Sequence, residues 1–313
     1  MSLDKLLPLG QEALELGLVN SLTVLALFLS YSMLNVCDLS TDGCFTLGAV
    51  VGAIMTQNIG LPWLTLPAAM MAGMLSGLVT AVLQTRMGVQ SLLAGIVVNT
   101  ALYSVNMAIS GNKAQITLSK ITLFKIAKNA LKGTFLSGQY NLVVLLIIVA
   151  LVILFLSFFL RTKLGLAIRA TGNNVDMVRS SSINPAFTTT VGLCVSNSFT
   201  ALSGCLMALR GKSYDSHIGS GVLTVALASL LIGGVFLGRR RSIPLRAIGA
   251  VLGAVIFRLV YALALLINIP AFLLYAVSSV IVVAAISAPY LKSQAGLLRR
   301  RVLAGRERGR DEC

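Results

Sequence analysis

The sequence predicts an all-α fold: a polytopic transmembrane helical bundle of about eight or nine spans, some short or broken, with a short helix in one connecting loop. Three observations predict it. Of 313 residues 57% are hydrophobic, mean hydropathy is +0.90, and the apolar residues gather into about nine segments of spanning composition. Charged residues make up only 11%, where a soluble domain carries roughly a quarter. A 33.0 kDa chain this apolar cannot cover itself with polar surface in water. That excludes a soluble enzyme, a nucleic-acid-binding protein and a disordered scaffold. The 25 Lys and Arg against 10 Asp and Glu give a net charge of +15. In a soluble protein this would suggest nucleic acid; here it reads as basic loops retained on the cytoplasmic side.

A span needs about 20 mostly apolar residues. Gly17–Val36 fits, and Met1–Gly10 lacks the basic start and apolar core of a cleaved leader, so this span is expected to act as its own insertion signal. Cys44–Gln57 is apolar but short and follows the polar run Asp38–Gly43, which reads as a broken helix or half-span. Pro62–Gln84 and Gln90–Ser110 are full spans joined by the tight turn at Thr85–Gly88. Asn141–Leu160 is the most purely apolar, followed by Thr188–Leu209, the short Thr224–Leu237, Leu245–Asn268 and Phe272–Leu291. The expected organisation is an extracytoplasmic segment 1–16, a membrane domain 17–291 with a large loop at 161–187, and a basic cytoplasmic tail 292–313.

Basic residues in short loops set orientation. Arg239–Arg241 and the tail from Arg299 to Arg310 both read as cytoplasmic, an even number of crossings apart. Counting back places Arg161–Pro185 and the Arg86 turn on the same side and leaves the N-terminus outside, in keeping with Asp4, Glu12 and Glu15. The loop Gly111–Gln139 counts as external yet carries Lys113, Lys120, Lys125, Lys128 and Lys132, which suit anionic membrane lipid or an acidic partner.

Small residues four apart, at Gly48/Gly52, Gly73/Gly77 and Gly249/Gly253, let helices approach closely. The first and last pairs lie in near-identical hexapeptides, consistent with an internal repeat or with two independent packing seams. Asn99, Tyr103 and Asn106 fall on one helical face, with Gly95 a turn earlier, and Ser196, Thr200 and Ser203 on another, with Asn197 alongside. Neutral hydrogen-bonding stripes suit a path for a polar or zwitterionic solute, and equally suit bonds between helices.

Mid-span charge is nearly absent apart from Arg258. Asp38 and Asp42 are the only carboxylates placed to couple an ion gradient. No phosphate-binding loop is present, so the energy source lies on another chain. His217 is the sole histidine, and the five cysteines show no ligand or disulfide spacing. No catalytic residue, metal site or cofactor is expected.

The loop following Leu160 is the most specific segment: Arg161, Gly165, Arg169, Gly172, Asn173, Asn174, Asp176, Arg179, Ile183, Asn184 and Pro185 in order. Gly165 and Gly172 read as breakers, Asn173 or Asn174 as the cap of a short helix running to about Ser182, and Asp176 as an acid in its first turn. This pattern resembles the coupling loop of permeases from ATP-binding-cassette importers of the branched-chain amino acid and ribose type. Asp38–Ala49 resembles a stretch of the subgroup linked to tryptophan and other aromatic amino acids, as do Ser91–Ile96 with Thr100–Asn106, and Ser196–Asn197 with Ala201–Gly204. The resemblance spans roughly Leu22 to Leu291. Three positions depart from it: Ser182 stands where the family usually has Gly, Val178 where it has Ala, and Gly234 where the subgroup commonly has an acid.

The resemblance implies a permease in the cell (inner) membrane, paired with a second copy or a homologue. Solute would arrive from an extracytoplasmic binding protein, and two cytosolic ATPase subunits would grip the loop helix through Gly165, Arg169, Gly172, Asn173, Asn174, Asp176, Arg179 and Ile183. The expected solute path comprises Asp38, Asp42, Asn99, Tyr103, Asn106, Ser196, Asn197 and Thr200. The expected solute is an amino acid, with sugar or nucleoside as relatives' alternatives. An ion-coupled carrier using Asp38 or Asp42 is the competing class.

Overall fold

Helix α1 spans Leu3–Leu27 and continues as a π-helix over Phe28–Met33 in the computed structural model, which describes residues 3–58, 60, 62–118, 139–237 and 242–266 with single positions within 124–128 and 273–287. The helix therefore begins well before Gly17, because Glu12, Ala13, Leu14, Glu15 and Leu16 are all good helix formers. The widened π-turn marks where α1 gives out. Asn35 then takes a left-handed conformation with φ of 57°, which Asn tolerates better than most residues, and the chain turns back on itself.

The remaining elements follow in order. Helix α2 is Thr41–Asn58, α3 Pro62–Thr85, α4 Ser91–Ile109, and strand β1 is Gln115–Thr117. Helix α5 is Tyr140–Phe159, α6 Lys163–Asn173, α7 Val175–Ser180, α8 Pro185–Gly211, with strand β2 at Ser213–Asp215. Helices α9 and α10 cover Val222–Leu237 and Ile243–Leu266. The α3–α4 turn passes through Gly88 at φ of 69°, as a tight turn requires. The Arg239–Arg241 loop and the Arg299–Arg310 tail lie outside the described residues, as does the Phe272–Leu291 span apart from single positions.

Among the described residues six helices are long and apolar enough to cross a membrane: Pro8–Met33 of α1, α3, α4, α5, α8 and α10. Helices α1 and α8 are 83% buried, whereas α5 is 22% buried, so the first two form the centre and α3–α5 present apolar flanks outward. The central pair is antiparallel. Ser196 Oγ donates to Ala26 O at 2.8 Å, Ser203 Oγ to Val19 O at 2.6 Å, and Arg210 Nε to Glu15 at 2.7 Å.

Packing of small residues holds the rest. An added Cβ on Gly48 or Gly204 would strike the backbone of Ala201 or Phe45, joining α2 to α8; on Gly73 and Gly77 it would strike Asn197 and Leu193, joining α3 to α8. On the other side Gly253 meets Ser229 and Gly233, joining α10 to α9, and Gly17 of α1 meets Val255 of α10. Lipid offers no hydrophobic gain for bringing helices together, so such close van der Waals approach supplies the association energy. The arrangement is a pair of triplets of opposite direction: α2 and α3 pack on α8, while α9 and α10 pack on α1. The Gly48/Gly52 and Gly249/Gly253 hexapeptides fall on α2 and α10, which are not equivalent in that pairing.

One end of the bundle carries the antiparallel β1–β2 pair, with Ile116 opposite Tyr214. The sequence did not foretell it; three-residue strands are too short to show a period. Gln57 at the end of α2 donates to Thr117 O at 2.9 Å. The other end carries α6 and α7.

Candidate functional site

Two helices start partway along the bundle, and their N-termini meet there. Helix α2 starts beside Asn197, near the middle of α8, and runs to the hairpin end. Helix α9 starts beside Asp42 and runs to the loop end. First-turn N–H groups of a helix have no intrahelical acceptors, so both starts need polar partners. Side chains supply them.

Asp38 is almost fully buried. Its Oδ1 accepts from Ser40 N–H at 2.8 Å and Ser40 Oγ at 2.6 Å, and its Oδ2 accepts from Asn197 Nδ2 at 2.8 Å. Asn99 Oδ1 accepts from Gly43 N–H at 2.7 Å, and Asn106 Nδ2 donates to Gly43 O at 3.2 Å. Asp42, in the first turn of α2, reaches across to α9. It accepts from Gly221 N–H at 3.1 Å and Leu223 N–H at 2.8 Å, placing negative charge at the positive end of that helix. Gly219 packs against Asp42 O and Thr46 Oγ1 with no room for a side chain.

Five of the eight predicted path residues therefore converge: Asp38, Asp42, Asn99, Asn106 and Asn197. Tyr103 lies toward the hairpin, half exposed, its ring 6.4 Å from that of His217. Ser196 and Thr200 are buried, with Ser196 bonded to α1 and Thr200 Oγ1 bonded to Ser196 O at 3.4 Å; their face joins the central helices. Glu15, only an orientation signal in the sequence, is a packed residue of α1. It is 4% exposed and pairs with Arg210, which also lies 3.8 Å from Glu12.

At the loop end the structure corrects one reading. Gly165 and Gly172 do not break helices; both lie inside α6, where a Cβ would strike Phe159 and Leu160, or Met33 and Leu34. They are glycines so that α6 can lie flat against α5 and the end of α1. Thr162 Oγ1 caps α6 by accepting from Gly165 N–H at 3.2 Å. Asn174 both ends α6 and caps α7, Oδ1 accepting from Asp176 and Met177 N–H at 3.0 and 3.1 Å; Asn173 is the last residue of α6. Helix α7 ends at Ser180, short of Ser182. Val178 anchors it while Val175, Asp176, Met177 and Arg179 face outward. Asp176 and Arg179 sit 3.8 Å apart, both largely exposed, a contact that contributes little to stability. Arg169 and Ile183 flank the pair, partly buried, and Thr171 and Thr188 share a 2.8 Å hydroxyl bond that fixes α6 to α8.

Helix starts that meet inside a multi-pass helical bundle, with polar side chains gathered around them, recur at the solute sites of transporters. Comparison with known proteins makes this specific: the family model described as branched-chain amino acid transport system / permease component matches residues 12–286, and the chain belongs to that family. A protein named tyrosine transport system permease protein, from Clostridioides difficile (strain R20291), is 34% identical over 218 residues, covering 69% of this chain and 70% of its own. Uncharacterized protein RP368 of Rickettsia prowazekii (strain Madrid E) is 33% identical over 221 residues, 71% of this chain and 75% of its own. No solved structure matches.

Proposed function

We infer that this chain is the membrane subunit of an ATP-driven importer that carries an amino acid, an aromatic one such as tyrosine, from an extracytoplasmic binding protein into the cell. The observation that carries the reading is the α6–α7 pair. A six-residue helix cannot hold itself in water; here Asn174 caps it, Val178 pins it, and Val175 and Met177 are left exposed on its outer side. That is a rigid apolar and charged knob projecting from the bundle, fit to seat in a groove of a cytosolic ATPase. ATP binding would drive alternating access through contacts that differ between the two states. In this reading α6 and α7 face the cytoplasm, the hairpin faces the binding protein, and a second permease copy completes the path around Asp38, Asp42, Asn99, Tyr103 and Asn197.

The geometry disfavours the ion-coupled carrier. A coupling carboxylate must exchange its partners as it loads and releases a cation. Both oxygens of Asp38 are bonded, to Ser40 and to Asn197 of α8, and both of Asp42 accept from N–H groups at the start of α9.

Co-purification tests the proposal. The ATPase subunit encoded with the transporter should remain bound to the wild-type chain in detergent and be lost from Asn174→Ala/Asp176→Ala and from Met177→Asp, with the permease still folded. Retention by both variants would contradict it.

A further inference from the structure

Partly buried arginines occur on both sides of the α1 helix, and they are treated differently. Arg210 has two carboxylates, Glu15 at 2.7 Å and Glu12 at 3.8 Å. Arg258, on α10, has none within ion-pair distance among the described residues. Its Nε and Nη2 both donate to Asn20 Oδ1, at 2.6 and 2.5 Å, with the amide set to face them, and its guanidinium lies 5.6 Å from the Tyr261 ring. A guanidinium has five N–H donors; Asn20 takes two, which leaves three. An ionisable group held inside a membrane domain is costly and marks a functional site by default.

The group lines a cavity of about 430 Å³ between α1, the start of α9 and α10, closed on a further side by Ser279 and Val283, within the range of small-molecule sites. Its wall combines one fixed positive charge with the Ser220 and Thr224 hydroxyls, the Asn20 amide and the Phe257 and Tyr261 rings. Gly221 also lines it, and the Gly221 N–H bonds to Asp42, so the cavity abuts the break where α2 and α9 meet. Arginine's planar fork matches a carboxylate, two parallel N–H donors to two oxygens, and the aromatic walls accept an apolar side chain.

We propose that this cavity binds the α-carboxylate of a single amino acid through Arg258, beside the half-helix junction. The proposal rests on the amino-acid reading above and adds a fixed charge that selects zwitterionic or anionic solutes over amines.

The test uses the full chain in nanodiscs of neutral lipid, with thermal unfolding as readout. Three probes share one ring: L-phenylalanine, 3-phenylpropionate, which lacks the amine, and phenethylamine, which lacks the carboxylate. The first two should raise the unfolding temperature and the third should not. Arg258→Met and Thr224→Phe, which crowds the cavity and leaves the arginine in place, should each weaken phenylalanine binding at least tenfold, and Arg258→Lys less. Equal binding of phenethylamine, unchanged binding in Arg258→Met, or no stabilisation of the wild type by either carboxylate overturns the proposal. A repeat with anionic lipid distinguishes the other source of negative charge: stabilisation by that lipid alone, lost in Arg258→Met, makes this a headgroup site and overturns it. Uptake of labelled phenylalanine by the assembled transporter separates the two readings. Wild-type uptake retained in Arg258→Met removes the carboxylate site and leaves the amino-acid reading standing; no uptake of amino acids by the wild type removes that reading instead.

Discussion

Ser182 takes φ of 59°, a left-handed conformation that costs a non-glycine residue about 1–2 kcal/mol. The departure from the family pattern noted at this position thus has a physical meaning: glycine is the residue the backbone there favours. Ser182→Gly should raise stability by about 0.5–1 kcal/mol, the gain being trimmed by glycine's extra unfolded-state entropy; a lower unfolding temperature than wild type would contradict this. Glu15 makes a sharper case. It pairs with Arg210 at 2.7 Å and receives weaker bonds from Gln11 and Asn141, each 3.4 Å. Without Glu15 the Arg210 guanidinium keeps only the exposed and more distant Glu12 at 3.8 Å, so Glu15→Ala should cost about 3 kcal/mol, the low end for breaking a buried pair. Glu15→Leu/Arg210→Met should recover most of it, and a double variant as unstable as the single one would refute the account. That an amide caps the short helix was legible from residue type, but the choice between Asn173 and Asn174 was not, because it depends on where α6 ends. The role of Gly165 and Gly172 was not, because a glycine needed for close approach and one needed for a break look alike in sequence.

At the scale of elements, the shortness of two apolar segments was the informative signal. It marked Cys44–Gln57 as a broken helix or half-span and Thr224–Leu237 as short, close to the 18-residue α2 and the 16-residue α9. What the sequence could not show was that the two starts meet, because Asp42 and Leu223 are brought together only by α8 lying between them in the chain. Asp42→Ala should free the Gly221 and Leu223 N–H groups and raise amide exchange across the first turn of α9 by about tenfold, on the order of one hydrogen bond to a charged group; Asp42→Asn, which keeps an acceptor, should change it less. Unaltered exchange in Asp42→Ala would show that the carboxylate does not hold the junction. The hairpin offers a pH test. Asp215 accepts from His217 N–H at 2.8 Å and Gln115 Nε2 at 2.9 Å, which hold its carboxyl below the usual carboxylate range. A depressed folded value gives stability that is full above the ordinary carboxylate value near 4 and is lost as pH falls through the depressed one. The β1–β2 pair should therefore loosen only in strong acid, and Asp215→Asn should abolish that dependence.

For the molecule as a whole, sparse charge is the feature on which the reading of the energy source rests. A membrane interior nearly free of ionisable groups pointed to energy from another chain, and the carboxylates that are present are committed to structure: Glu15 to Arg210, Asp38 to Asn197 and Asp42 to α9. The centre formed by α1 and α8 is held by hydroxyl-to-carbonyl bonds and glycine seams. The account stands or falls on the power source. Proteoliposomes holding this chain with its ATPase and binding protein should accumulate labelled tyrosine only with ATP on the ATPase side, and should lose at least tenfold of that rate in Asn174→Ala/Asp176→Ala. Accumulation driven by a proton or sodium gradient in the absence of ATP would contradict it.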